Sequence, residues 1–206
     1  MTISSPKSLP TLPRFPQQGQ QQLILAGGCF WCVEGVLQRL RGVTEVVSGY
    51  LGGTAETANY KAVCRGDTGH AEAVRVVFDA QQIDLAEILT VFFTIAHDPT
   101  QLNRQGADRG TQYRSALFYQ NDAEREYFER VIRHLDESGV FAGPIVTRIE
   151  AGTGESERTT FYPAEDYHQN YAACNPYQPY IQGVALPKIE ALRRHWPAEK
   201  LKAISE

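Results

Sequence analysis

The sequence predicts an α+β fold around a mixed sheet. Strand-like runs and stretches of helical spacing are interspersed along it without a strict βαβ rhythm. It shows no internal repeat, and its 206 residues fit one large domain whose core needs no disulfide or metal staple.

The elements follow in order. Met1 to Gln22 carries Pro6, Pro10, Pro13 and Pro16 and then a glutamine cluster. Without an apolar h-region it is no secretory signal, and it reads as a disordered or loosely docked arm ahead of a single domain spanning 23–206. Leu23 to Ala26 reads as a short buried strand, and Gly27-Gly28 allows a sharp turn out of it. Val33, Val36, Leu37 and Leu40 then recur at i, i+3, i+4, i+7, the spacing of one helix face. Thr44 to Leu51 is strand-like, a polar loop with Tyr60 and Cys64 follows, and Ala71 to Asp79 alternates as a strand does. Asp84, with Glu87 three residues on, predicts the N-cap of a helix that turns Leu85, Ile88, Leu89, Phe92 and Ala96 inward. A long loop after His97-Asp98-Pro99 leads to a strand over Tyr113 to Tyr119, and Asp122 is placed to cap a long helix. Pro144 to Glu150 reads as a further strand, Phe161 to Asn175 as mixed loop and short helix, and Pro187 as the start of a terminal helix.

Charge and cysteine usage narrow the function classes. Twenty Lys and Arg against twenty-four Asp and Glu leave a net charge of −4, which gives no reason to expect nucleic acid or an anionic membrane as partner. No apolar run approaches the ~18 residues of a membrane span. Four cysteines without an export signal predict a reducing compartment, the cytoplasm, and thiols that carry chemistry. One close pair and two isolated cysteines do not make a zinc site, which calls for two ligand pairs.

The chemistry concentrates in Gly27-Gly28-Cys29-Phe30-Trp31-Cys32. Cys29 opens a helix, where free N–H groups and the positive dipole end favour a thiolate. Phe30 and Trp31 are placed to wall an apolar pocket around the sulfur. Cys32, one turn on, is within reach of a disulfide if the first turn adjusts. In the strand Ala71 to Asp79, alternation puts Glu72 on the face of Val74, Val76 and Phe78, where burial would raise its pKa and make it a proton donor. The plainer reading is a strand-end glutamate reaching solvent. Tyr50, Tyr60 and Tyr113 are candidate phenol donors or ordinary half-buried packing. Asp108 is a carboxylate in a Gly-flanked loop, by default a turn former. His70 and His168 read as structural histidines, Cys64 as a buried inert thiol, and Cys174 as either a second exposed thiol or a bystander.

Three segments together carry a resemblance: Gly28-Cys29-Phe30-Trp31, Gly66-Asp67-Thr68-Gly69-His70-Ala71-Glu72 and Gly110-Thr111-Gln112-Tyr113-Arg114-Ser115. With Tyr162-Pro163-Ala164-Glu165-Asp166-Tyr167-His168-Gln169 and Asn175-Pro176, the chain from Leu23 to Lys188 resembles the peptide methionine sulfoxide reductases of the A class. The resemblance implies a two-layer α+β sandwich around a mixed sheet, with a ferredoxin-like core, long loops and an extended C-terminal region. It implies Cys29 as the nucleophile that attacks a sulfoxide sulfur, and Phe30 and Trp31 as the pocket for the S-methyl group. Glu72 becomes the acid toward the sulfoxide oxygen, Tyr60 and Tyr113 its hydrogen-bonding phenols, and Asp108 an organising carboxylate. The implied substrate is the S epimer of methionine sulfoxide, free or in proteins. A dithiol such as thioredoxin is the implied reductant, and no metal or organic cofactor is called for. A monomer is expected, because a substrate protein must reach an open site.

One departure bears on recycling. Many members place a resolving cysteine a few residues after Asn-Pro, where this chain has Ile181; many have glycine where this chain has Cys32. Cys32 is therefore the expected resolving thiol, with Cys174 as the second candidate. Two rival readings stand beside the reductase. One is a thioredoxin-like thiol–disulfide oxidoreductase, since strand–CxxC–helix suits it too; the other is a non-catalytic module that binds oxidised methionine.

Overall fold

Six strands form the main sheet of the computed structural model, which describes residues 11–203. In chain order the elements are β1 (Gln20–Gly27), α1 (Phe30–Leu37), β2 (Val43–Leu51), α2 (Tyr60–Val63), β3 (Ala71–Asp79) and α3 (Leu85–Val91). The short strands β4 (Arg104–Gln105) and β5 (Asp108–Arg109) follow, then β6 (Ser115–Tyr119) and α4 (Asp122–Ser138). β7 (Arg148–Ala151), β8 (Tyr162–Pro163), α5 (Tyr171–Cys174) and α6 (Leu186–His195) complete them.

The strand order is β7-β6-β1-β3-β2-β8. β3 lies between β1 and β2, antiparallel to both, with Leu23 opposite Val76 and Tyr50 opposite Glu72. β6 runs antiparallel to β1, and β7 runs parallel to β6. That one parallel pair makes the sheet mixed, and the α+β class expected from the sequence is the class observed. The alternation of β3 is the reason for its two faces: Val74, Val76 and Phe78 are fully buried in the main core, while Arg75 is half-exposed on the other side. Residues from α1, α3, α4 and α6 join that core. The opposite face carries a thinner cluster of Ile24, Ala26, Leu51, Ala71, Ala73, Ala116 and Phe118, against which Phe161 packs.

Local signals explain the element ends. Asp84 accepts the Ala86 N–H at 2.8 Å while Glu87 accepts the Asp84 N–H at 3.1 Å, the reciprocal box expected for α3. The helix then widens into a π turn over Phe92–Ala96, whose Phe92 carbonyl accepts the His97 N–H. Asn121, one residue before the expected Asp122, caps α4 by accepting the Glu124 N–H at 3.0 Å. Arg114 clips β6 to β7 through two bonds of 2.9 Å to Glu150.

Several boundaries differ from the sequence reading. β6 starts at Ser115 because Thr111–Tyr113 closes into a 3-10 turn, and β7 is confined to Arg148–Ala151. The loop after Pro99 contains the β4–β5 hairpin, and the polar loop around Tyr60 contains α2. β1 begins at Gln20, inside the segment read as a loose arm, because Gln20 to Gln22 extend the ladder against Asp79 to Val77. Upstream of it Leu12 is buried, Phe15 lies 4.8 Å from the Tyr127 ring, and the Tyr127 hydroxyl donates to the Pro13 carbonyl. Residues 1–10 of that arm lie outside the described residues.

Candidate active site

The turn out of β1 sets the position of the first thiol. Gly28 sits at φ +80°, and a Cβ there would meet Gln105 at 2.6 Å, so the backbone turns where a side chain would be both strained and blocked. Cys29 follows as the N-cap of α1, and it is only 7% exposed. Cys32 is fully buried one turn on, its N–H bonded to the Cys29 carbonyl at 3.1 Å. The thiolate at Cys29 expected from the helix terminus does not appear in isolation. Burial pushes the Cys29 thiol well up, helped by the hydrogen bond with Cys32 and the neighbouring Glu72 charge. The same Cys29–Cys32 bond draws Cys32 down to about 7. Physically the two sulfurs titrate as one unit that gives up its first proton below an ordinary thiol and holds the second tightly.

Glu72, at the end of β3 next to β2, is 2% exposed and does not reach solvent. Its Oε2 accepts the Phe30 N–H at 3.0 Å, which puts a carboxyl against the first turn of the helix that Cys29 opens. Burial raises its pKa to about 8, against the lowering effect of that hydrogen bond, so at neutral pH it carries its proton.

The tyrosines come from three separate segments. Tyr60 begins α2, whose N-cap Asn59 accepts the Ala62 N–H, and Glu165 accepts the Tyr60 N–H at 2.9 Å. Tyr113 ends the 3-10 turn before β6. Burial raises both phenols, with the nearby Glu72 and Cys29 charges adding to it, so both stay protonated donors. Tyr50 is fully buried and donates to Glu165 at 2.8 Å. Asp108 is held in the β4–β5 ladder rather than in a free turn, and it accepts a hydrogen bond from the Tyr180 hydroxyl. The Tyr180 hydroxyl also acts on both sulfurs, as a small effect that lowers each thiol. The sequence reading did not single it out; its place directly before Ile181, in the segment after Asn175-Pro176, was the available signal.

The segment from Tyr162 to Tyr171 supports the pocket. Phe30 is buried with Tyr50 at 5.8 Å and His168 at 5.1 Å between ring centroids. Trp31 is stacked flat on Tyr171 at 3.8 Å and donates its indole N–H to His168 Nδ1 at 3.1 Å. Gln169 ties the segment to β2 by bonding both the N–H and the carbonyl of Ser48. Buried Glu34 of α1 accepts the Asn170 N–H at 2.9 Å, and burial raises its pKa to about 7.

The remaining thiols separate. Cys64 is exposed, not buried as the sequence pattern implied, because it caps the short α2 with its side chain turned toward the Tyr60 hydroxyl. Cys174 is exposed at the end of α5. Ile181, at the position expected for a tail cysteine, is buried and opens a π turn leading into α6.

The family model of peptide methionine sulfoxide reductase matches residues 21–200. The chain is 52% identical over 187 residues to peptide methionine sulfoxide reductase MsrA of Deinococcus radiodurans, spanning 91% of this chain and 87% of that protein. Against MsrA of Chromobacterium violaceum it is 50% identical over 176 residues, 85% of this chain and 96% of that one. Among solved structures, the reduced form of Mxr1 from Saccharomyces cerevisiae superposes with a TM-score of 0.67 at 34% identity, covering 78% of this chain and 88% of that one. Methionine sulfoxide reductase A of Corynebacterium diphtheriae gives 0.63 at 29% identity, covering 87% and 95%.

Proposed function

The chain belongs to the peptide methionine sulfoxide reductase family of oxidoreductases, and we propose that it reduces the S epimer of methionine sulfoxide, free or in polypeptides, with Cys29 as nucleophile and Glu72 as acid. The observation that carries this reading is the buried Glu72 carboxyl, whose Oε2 accepts the Phe30 N–H at 3.0 Å, one residue from Cys29. A sulfoxide sulfur is a poor electrophile until its oxygen is protonated. Glu72 supplies that proton, and the Tyr60 and Tyr113 hydroxyls stabilise the oxygen as charge develops on it. Asp108 and Tyr180 order the other side of the sulfur pair. Phe30 and Trp31 hold the S-methyl group.

The proton inventory supports the same pH for both partners. Near pH 7 to 8 the cysteine pair holds one proton and Glu72 holds its own. Moving the pair's proton onto Cys32 leaves the thiolate at Cys29. Attack on the sulfoxide sulfur transfers its oxygen to Cys29, so methionine leaves and Cys29 becomes a sulfenic acid. Cys32 then attacks the Cys29 sulfur and gives its proton to the sulfenic oxygen; the S–O bond breaks, the oxygen departs as water, and a Cys29–Cys32 disulfide remains. An external dithiol such as thioredoxin supplies the two electrons that restore both thiols. It attacks Cys29, since Cys32 has no exposed surface, and Cys32 departs as the more acidic thiol. In this reading the enzyme acts as a monomer in the reducing cytoplasm.

Non-reducing peptide mapping after one equivalent of a methionine-S-sulfoxide peptide tests the scheme. A Cys29–Cys32 bridge with one equivalent of methionine is the expected result. A Cys29–Cys174 bridge would retain the reductase and move resolution to the tail. Unmodified Cys29 without methionine would end the functional reading. Cys32→Ser is expected to give one equivalent of methionine and a trapped sulfenic acid, then lose multiple turnover with a dithiol protein; retained multiple turnover would remove Cys32 as the resolving thiol. A thioredoxin-like oxidoreductase would instead reduce insulin disulfides briskly and leave the sulfoxide untouched.

A further inference from the structure

Trp31 is aligned by contacts that the sulfoxide chemistry does not itself use. Its face lies on Tyr171 and its edge reaches His168, both from the segment that Gln169 fastens to β2 and Glu34 fastens to α1. We propose that His168 is a positioning residue: as a neutral ring protonated on Nε2, it takes the Trp31 indole N–H on Nδ1 and fixes the indole as the wall of the substrate pocket. The inference rests on Trp31 lining the sulfoxide site.

The tautomer follows from donor and acceptor rules. An indole nitrogen only donates, so the His168 Nδ1 it meets at 3.1 Å must be unprotonated. The ring's proton then sits on Nε2, which has no hydrogen-bond partner among the described residues and whose nearest carboxylate oxygen is Glu165 Oε2 at 3.9 Å. A second proton could enter only at Nδ1, and it would expel the indole. The surroundings oppose that second proton: His168 is 1% exposed and packed among the rings of Phe30, Tyr60, Tyr167 and Tyr171. Burial accordingly holds its pKa below the usual histidine range, against the opposing pull of Glu165. A carboxamide or hydroxyl could accept the same bond, but only a ring also fills the space between Phe30 and Tyr60.

Two readouts independent of turnover decide it. Nitrogen-15 spectra of the intact protein at pH 7 are expected to show His168 protonated on Nε2 alone; the Nδ1–H tautomer or an imidazolium overturns the proposal without any substitution. The chain has two tryptophans, so the Trp31 indole N–H signal is assigned by comparison with Trp31→Phe. It should be protected from exchange in the native protein, lose protection in His168→Phe, and largely keep it in His168→Asn, whose amide oxygen falls near the Nδ1 position. Steady-state assays with a methionine-S-sulfoxide peptide should then show KM raised about tenfold in His168→Phe with a smaller change in kcat, and within about threefold of native in His168→Asn. An indole signal unmoved in His168→Phe, or released together with an unchanged KM, overturns the assignment. Failure of the native protein to reduce any sulfoxide would refute the reductase reading, while the tautomer and indole spectra would still decide the hydrogen bond.

Discussion

In the proposed mechanism the proton of Glu72 links chemistry and stability. Its pKa in the fold, about 8, lies above the unfolded value near 4.3. The stability linked to its proton is therefore complete below about 4.3 and is lost as pH rises through about 8. Glu72→Gln keeps an acceptor for the Phe30 N–H and removes the buried ionisation. We expect it to slow sulfenic acid formation by about 10²- to 10⁴-fold and to abolish the alkaline limb of the pH–rate profile near 8. At pH 8 the same variant should be more stable by roughly 1–3 kcal/mol. Stopped-flow kinetics and denaturant unfolding check the two halves; a native rate removes Glu72 as the acid, and a lower stability removes the buried-charge argument. The sequence showed which face of β3 carries Glu72, because alternation is local. It did not show that Cys29 would be raised instead of lowered. A helix terminus is legible in sequence, whereas the loss of water around a sulfur depends on everything packed over it.

At the scale of elements, legibility followed the source of stability. α3 announces itself because its cap and its inward face are written within one stretch, Asp84 to Ala96. α2 has four residues, too few to stand alone, and it exists because Asn59 caps it and Glu165, 105 positions away, accepts its first N–H. A paired substitution separates the two cases. Asp84→Ala should cost about 1 kcal/mol of stability with kcat/KM unchanged. Asn59→Ala should cost no more in stability, yet raise KM severalfold by releasing Tyr60. Denaturant midpoints beside steady-state kinetics read both, and equal effects on activity would show that the capped turn does not orient the phenol. The β4–β5 hairpin was missed for the same reason as α2: two-residue strands carry no period, and Asp108 is fixed by a bond from Tyr180 in another part of the chain.

For the whole molecule, the buried His97 predicts sensitivity to acid. Its ring bonds the Phe92 carbonyl at 2.8 Å and the Ser115 hydroxyl at 2.7 Å, and burial holds its pKa near 3. A histidine depressed in the fold contributes stability that is complete above about 6.5 and lost as pH falls toward about 3. The native chain should therefore lose stability across that window. His97→Gln, less stable at pH 7, should lose less of what remains; urea midpoints at pH 7 and pH 5 give the comparison, and parallel losses would remove His97 as the cause. The sequence by itself determined the α+β class, the long strands and helices, and the chemical content of the site, because periodicity, capping and residue type act over a few positions. Only the tertiary structure decided that burial raises the Cys29 thiol, that Cys64 faces solvent, and that Tyr180 and His168 bond Asp108 and Trp31. Those bonds join residues 72 and 137 positions apart, and their consequences depend on excluded water, a property of the packed molecule that no short segment carries.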